Sequence, residues 1–167
     1  TNASIDAEVI LLAKTFLDKL KVTGLKLYIN SIGCKTCRKD YNNALKEYLG
    51  ERLAEMCPTC QERFEKNPLR ILDCKEETCK NICKDAPKII DYLCDDCNEH
   101  FNSLKNYLTI SGVDFSINPN IVRGLDYYTK TVFEFVSENT GSHGTVCGGG
   151  RYDGLINELG GGQVPGV

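Results

Sequence analysis

Apolar residues recur at spacings of three and four over residues 5–20, where Ile5, Val9, Leu12, Ala13, Phe16, Leu17 and Leu20 share one stripe. That period predicts an amphipathic helix packed through this face. Ser4 suits its N-cap, Asp6 and Glu8 suit the positive end of its dipole, and Gly24 stops it. The period then changes to two. Leu25, Leu27 and Ile29 alternate with Lys26, Tyr28 and Asn30, which predicts a half-buried strand. Helical spacing returns over 38–56, with Tyr41, Ala44, Leu45, Tyr48, Leu49, Leu53 and Met56 inward, until Pro58 breaks it. Residues 61–73 read as a short helix or turn leading to an extended Leu69–Asp73, and 76–84 as another short helix. From Pro87 a last long helix carries Ile90, Leu93, Cys94, Cys97, Phe101, Leu104 and Leu108 on one side and ends at Gly112.

Strand patterning resumes at Phe115–Ile117 and at 129–136, where Thr131, Phe133 and Phe135 alternate with Val132, Glu134 and Val136. A turn at Asn139–Gly141 and a return strand at Thr145–Cys147 make a hairpin that ends at Gly148–Gly150. A helix over 152–159, closed by Gly160–Gly162, completes the chain. The expected fold class is α+β: strand-bearing segments at 1–33 and 112–167 flank an all-helical block at 34–111. That block holds nine of the ten cysteines, and its different composition marks it as a domain inserted into the other.

Candidate chemistry sits in two late stretches. Arg123-Gly-Leu-Asp-Tyr127-Tyr128 precedes Thr131-Val-Phe-Glu134, and Cys147-Gly148-Gly149-Gly150-Arg151-Tyr152-Asp153-Gly154 follows the hairpin. Each joins arginine, a planar fork of donors for phosphate or carboxylate, to tyrosine, a flat face with a polar tip, and to glycine, which lets backbone approach a ligand. Together they describe a pocket for something anionic and something planar. His100 and His143 have no motif around them and read as structural or solvent-exposed, with His100 a minor candidate for a metal.

The two stretches resemble the signature motifs of the histidyl-tRNA synthetase family, class II aminoacyl-tRNA synthetases. Leu25–Gly33 and Asn67–Asp73 are similar to that family as well. The resemblance implies a partial class II catalytic domain with a mainly antiparallel sheet and a helical insertion that clasps the tRNA acceptor stem. It implies activation of histidine with ATP and Mg²⁺ to histidyl-adenylate, transfer to tRNA(His), and a homodimer in the complete enzyme. It places Arg123 at the α-phosphate and the substrate carboxylate, and Tyr128 and Tyr152 at the imidazole. Tyr127, Gly149, Gly150 and Arg151 join them as binding residues, Arg151 and Asp153 orienting the pocket from behind. Glu134 either binds or flanks. The dimer motif, both ATP-binding motifs and the anticodon domain of the family are not found in the chain, which is therefore expected to be inactive alone.

Two rival readings come from other classes. One is the synthetase-like regulatory subunit that supports ATP phosphoribosyltransferase in histidine biosynthesis. It typically lacks the long insertion seen between Gly33 and Gly112. The other is a zinc-stabilised tRNA-binding module. A net charge of −3 supplies no overall basic field for nucleic acid.

The cysteines change the picture separately. Cys34/Cys37, Cys57/Cys60 and Cys94/Cys97 are Cys-x-x-Cys pairs. Such spacing favours metal or redox chemistry in a reducing compartment, and with no visible signal peptide the cytoplasm is expected. Two pairs make a tetrahedral thiolate site of the kind that holds structural zinc. Antiparallel helices would bring Cys57, Cys60, Cys94 and Cys97 together at the far tip of the block. Cys74 with Cys79 is the competing partner for Cys57/Cys60, and buried metal-free thiols are the remaining alternative. No run reaches the roughly 18 apolar residues of a membrane helix.

Overall fold

A computed structural model describes residues 2–122, 127–137 and 144–167. Its centre is β1 (Leu25–Ser31), where the alternating pattern becomes a strand with Leu27 and Ile29 buried. Antiparallel to it lies β3 (Thr129–Ser137), which pairs in turn with antiparallel β4 (Gly144–Arg151). On its other side β1 takes the two-residue β2 (Ser116–Ile117) in parallel. Among the described residues this makes one mixed sheet in the order β2-β1-β3-β4. A parallel neighbour needs a long crossover; here the whole cysteine-rich block lies between β1 and β2.

One face of the sheet packs on α1 (Ala3–Lys19) and α5 (Asp95–Ile110). Ala3, Ala7, Ile10 and Leu17 from α1 meet Phe101, Leu104 and Leu108 from α5 over Leu27, Ile29, Phe133 and Phe135. The stripe expected to face inward on α1 is largely turned out: Leu12 is 69%, Phe16 60% and Leu20 58% exposed. Two apolar stripes overlap on this helix. The one that is buried uses small Ala3 and Ala7, which admit a close approach, and contains Asp6, expected only as a partner of the helix dipole. The N-cap is Asn2 rather than Ser4; its side chain accepts the backbone N–H of Ser4 at 3.0 Å.

The block has a second core. Tyr41, Leu45 and Leu49 of α2 (Lys35–Gly50) pack with Met56, Cys60, Ile71, Cys79, Cys83 and Ile89. Its other elements are α3 (Pro58–Lys66), α4 (Glu77–Cys83) and short 3-10 turns at Leu53–Glu55, Pro68–Ile71 and Ile89–Tyr92. The extended run expected at Leu69–Asp73 is therefore one of these turns. The long helix expected from Pro87 begins only after Cys94, and its Phe101, Leu104 and Leu108 belong to the sheet's core instead of the block's.

β4 also differs from expectation. The glycine triplet does not end the strand but lies within it, Gly148 opposite Glu134, Gly149 opposite Phe133 and Gly150 opposite Val132. A Cβ on Gly150 would sit 2.3 Å from the carbonyl oxygen of Thr131 and 3.0 Å from Cα of Val132, and both are backbone atoms that cannot swing away. The helix expected over 152–159 shortens to α6 (Leu155–Glu158). No helix among the described residues is long and apolar enough to cross a membrane.

Gly150→Ala should lower unfolding stability by about 1–3 kcal/mol, the usual cost of overpacking. Gly162→Ala, where an added Cβ meets nothing within 4 Å, should change it by no more than about 0.5 kcal/mol. Urea titrations of the two variants, followed by circular dichroism, measure the difference.

Candidate active site and thiolate clusters

β3 and β4 bring the two arginine–tyrosine stretches toward each other. Tyr127 and Tyr128 precede β3, and Tyr152 follows β4. The pairing of Thr129 with Arg151 holds the two ends in register. Ring centroids lie 4.6 Å apart for Tyr127–Tyr128, 6.2 Å for Tyr127–Tyr152 and 6.5 Å for Tyr128–Tyr152, the last two edge to face. Such tilted arrangements are the favoured ones for aromatic quadrupoles. Beside them opens a cleft of about 520 Å³, walled by Tyr128, Phe133, Tyr152 and the backbone of Gly148–Gly150, with Leu12 and Phe16 of α1 across from them. The wall is mostly apolar, with phenol oxygens at its edge; that of Tyr152 donates to the carbonyl of Val167 at 3.3 Å. No cationic side chain lines it among the described residues. Arg123, His143 and the Asn139–Gly141 turn lie outside the described residues.

Arg151 takes a different position from the tyrosines. It is 1% exposed and lies beneath the cleft. Its Nη2 donates to Asp6 Oδ1 at 2.5 Å and to the Asn2 carbonyl at 3.2 Å, its Nε to Asp6 Oδ2 at 3.3 Å, and its Nη1 to Asp153 Oδ1 at 2.9 Å. Oδ2 of Asp6 also accepts from His100 Nε2 at 2.6 Å and Thr131 Oγ1 at 2.5 Å. Burial would push the Asp6 carboxyl up, but His100, Arg151 and Thr131 together hold it below the usual carboxylate range. One fully buried carboxylate thus joins α1, α5, β3 and β4. The sequence reading took Asp6 only as a dipole partner. The available signal was its place on the stripe Ala3–Asp6–Ala7–Ile10, at helical spacing among residues that are buried. Glu134 points to the opposite face, where Thr145 Oγ1 donates to it at 3.0 Å. On that face Asn30 Nδ2 donates to the carbonyls of Pro119 and Ile121, each at 3.2 Å, and so anchors the segment that leads to Arg123.

The thiols gather in two groups. Cys34, Cys37, Cys94 and Cys97 form one, and Cys57, Cys60, Cys74 and Cys79 the other, with the four sulfurs of each within 4.8 Å of one another. The expected set of Cys57, Cys60, Cys94 and Cys97 is therefore split between the two. The reason is the path of the chain: α3, α4 and the 3-10 turns bring it back before Cys94, so α5 starts beside Cys34 and not at the far tip. Cys74 and Cys79, the competing partners, are the ones beside Cys57 and Cys60. All ten cysteines are free thiols. Burial alone would raise Cys34, but the backbone N–H and thiol of Cys37 and the N–H of Thr36 outweigh it and bring it down to about 6. Cys83 belongs to neither group, and burial pushes it up to about 11. His100, bound to Asp6, is in neither group as well.

Comparison with known proteins bears on the motifs directly. The family model described as histidyl-tRNA synthetase matches residues 1–167. The chain belongs to the histidyl-tRNA synthetase family. Histidine–tRNA ligase of Caldanaerobacter subterraneus subsp. tengcongensis is 59% identical over 166 residues, which are 99% of this chain and 40% of that protein. That of Acetivibrio thermocellus is 57% identical over 164 residues, 98% of this chain and 39% of the relative. The crystal structure of apo histidyl-tRNA synthetase from S. aureus superimposes with a TM-score of 0.75 at 37% identity, over 99% of this chain and 40% of that one. The chain thus spans about 40% of the length of the curated synthetases it matches.

Replacing the buried carboxylate should be costly within this synthetase fold. Asp6→Asn removes the buried counter-charge of the Arg151 guanidinium, leaving only the part-exposed Asp153 carboxylate, and should lose about 3 kcal/mol. The depressed Asp6 carboxyl contributes stability fully present above its unfolded value of about 3.9 and lost as pH falls through the lower folded value. Thermal melts from pH 7 down to pH 3 should show that acid-side loss in the parent and its attenuation in Asp6→Asn.

Proposed function

We propose that this chain forms the amino-acid-binding part of a histidine–tRNA ligase, the complete enzyme activating histidine with ATP and Mg²⁺ and passing it to tRNA(His). The observation that carries the reading is that Tyr128 and Tyr152, in ring contact with each other and with Tyr127, line one cleft with the side-chain-free backbone of Gly148–Gly150. The cleft suits an imidazole. Flat walls receive the ring, and tyrosine hydroxyls supply hydrogen-bonding partners for its nitrogens. An amino acid with a purely apolar ring would forgo hydrogen bonds to the tyrosine hydroxyls, which is the larger source of discrimination. Gly149 and Gly150 let the substrate lie against the strand. Arg151 and Asp153 act from behind, holding the end of β4 so that Tyr152 keeps its place.

The described cleft residues fit the amino acid and not the triphosphate, because no cation stands among them. In this reading Arg123 supplies the guanidinium for the developing charge on the α-phosphate and for the histidine carboxylate. Mg²⁺ and the rest of the ATP clamp belong to the remaining length of the enzyme, as does the homodimer contact. Residues 34–111 contain the inserted helical unit that faces the tRNA acceptor stem, with a structural zinc ion held by its thiolates. The regulatory-subunit reading is weaker, since the tyrosines of both stretches and the long block are all present.

Histidine-dependent ATP–pyrophosphate exchange by the full-length enzyme tests this. Arg123→Ala should lower kcat/KM by about 10²–10³-fold, the scale of one lost transition-state donor. Tyr128→Phe and Tyr152→Phe should act mainly on KM for histidine. Unchanged exchange in all three variants would overturn the assignment.

A further inference from the structure

The thiolate groups differ in where they sit, and the difference has a functional meaning. Cys57, Cys60, Cys74 and Cys79 lie inside the block, Cys60 and Cys79 forming part of its core. Cys34 and Cys37 stand where the chain leaves β1 for the block, and Cys94 and Cys97 where it returns into α5. We propose that the chain binds two zinc ions in closed tetrathiolate sites, and that the ion at Cys34, Cys37, Cys94 and Cys97 locks the two crossings of this neck to the start of β3. The inference rests on the zinc part of the reading above and is independent of ligase activity.

Geometry argues for a single ion in each group. Tetrahedral coordination at a Zn–S distance of about 2.3 Å sets sulfurs about 3.8 Å apart. The structure has Cys34 and Cys37 sulfurs at 3.6 Å and Cys57 and Cys74 sulfurs at 3.8 Å. Backbone amides are directed at the sulfurs in both groups: Cys94 N–H to Cys37 Sγ at 3.1 Å, and Cys57 N–H to Cys79 Sγ at 3.3 Å. Cys34, Cys57 and Cys94 are the N-caps of α2, α3 and α5, where the positive end of the helix favours thiolate. Four soft anionic ligands with no open position suit zinc in a structural role.

The lock acts through Lys130. Its N–H donates to the Gly33 carbonyl at 2.9 Å, its carbonyl accepts from Ile32 N–H at 2.8 Å, and its ammonium meets Asp96, between Cys94 and Cys97, at 2.7 Å. Gly33 itself has φ +64°, and a Cβ there would lie 2.6 Å from Cys37 Cβ. Lys130 follows Tyr128 by two residues, so the neck ion braces the edge of the tyrosine cleft.

Elemental analysis of protein purified in reductant without chelator should give two zinc ions per chain. Cys94→Ser and Cys57→Ser should each retain one under a competing chelator. Hydrogen exchange should speed up at the Ile32 and Lys130 amides in Cys94→Ser and stay unchanged there in Cys57→Ser. One zinc in the parent would refute the two-ion inference while leaving a single structural ion standing; iron or no metal would refute both. Retention of two ions by Cys94→Ser, or equal exchange in the two variants, would remove the lock. Should either variant misfold, Co²⁺ titration of the metal-free parent decides: thiolate charge-transfer absorption should rise to two equivalents, and saturation at one overturns the proposal.

Discussion

A buried ion pair, Asp6 with Arg151, is the constraint on which the rest of the sheet domain depends. Both groups are withdrawn from water, which costs several kcal/mol per ion before any attraction is counted. The cost is offset because the polar atoms are filled: Asp6 accepts from Arg151, His100 and Thr131, and the guanidinium reaches Asn2 and Asp153 as well. These partners come from the first turn of α1, the middle of α5, the start of β3 and the end of β4. Each element is thereby oriented by a directional contact and not only by apolar packing, which is non-directional. Tyr127 and Tyr128 stand within four residues of Thr131, and Tyr152 follows Arg151, so the charge pair fixes the strand ends that carry them.

Much of the architecture was legible in the residues. The alternation at Leu25–Asn30 and at 129–136 became β1 and β3, and the helical spacing of Tyr41, Leu45 and Leu49 became the block's core. Where reading failed, a tertiary contact had overridden a local pattern. Leu12, Phe16 and Leu20 look like an inward stripe because they are large and apolar, yet small Ala3 and Ala7 with Asp6 make the closer fit against β4 and α5. The glycine triplet looks like a strand end by propensity, but its lack of side chains is what lets β4 press against Thr131 and Val132. Of the site, the tyrosine cluster was foreseeable from the two motifs. The burial of Asp6 could be read from its stripe with Ala3, Ala7 and Ile10, but its partner could not, since Arg151 lies far away in sequence.

The cysteines illustrate a different limit. Cys-x-x-Cys spacing is local and announces a ligand pair reliably, but which pairs meet is a question of chain path. Sequence favoured a long helix after Pro87; the structure has a 3-10 turn at Ile89–Tyr92 and starts α5 at the neck. That one change reassigns Cys94 and Cys97 from the tip of the block to its base. It also moves Phe101, Leu104 and Leu108 from the block's core to the core beneath the sheet.

Entry and exit of the block lie side by side, with the Cys94 amide 3.1 Å from the Cys37 sulfur. Two stretches far apart in sequence are thereby held at one point beside the sheet, where Ile90 and Leu93 add apolar contacts to its core. Closing a loop whose ends are already held together costs only about 0.6 kcal/mol more for each doubling of its length. Exposed turns between Cys37 and Cys94 could accordingly be lengthened or trimmed at small closure cost, provided that the contacts of Ile90 and Leu93 with the sheet's core are kept.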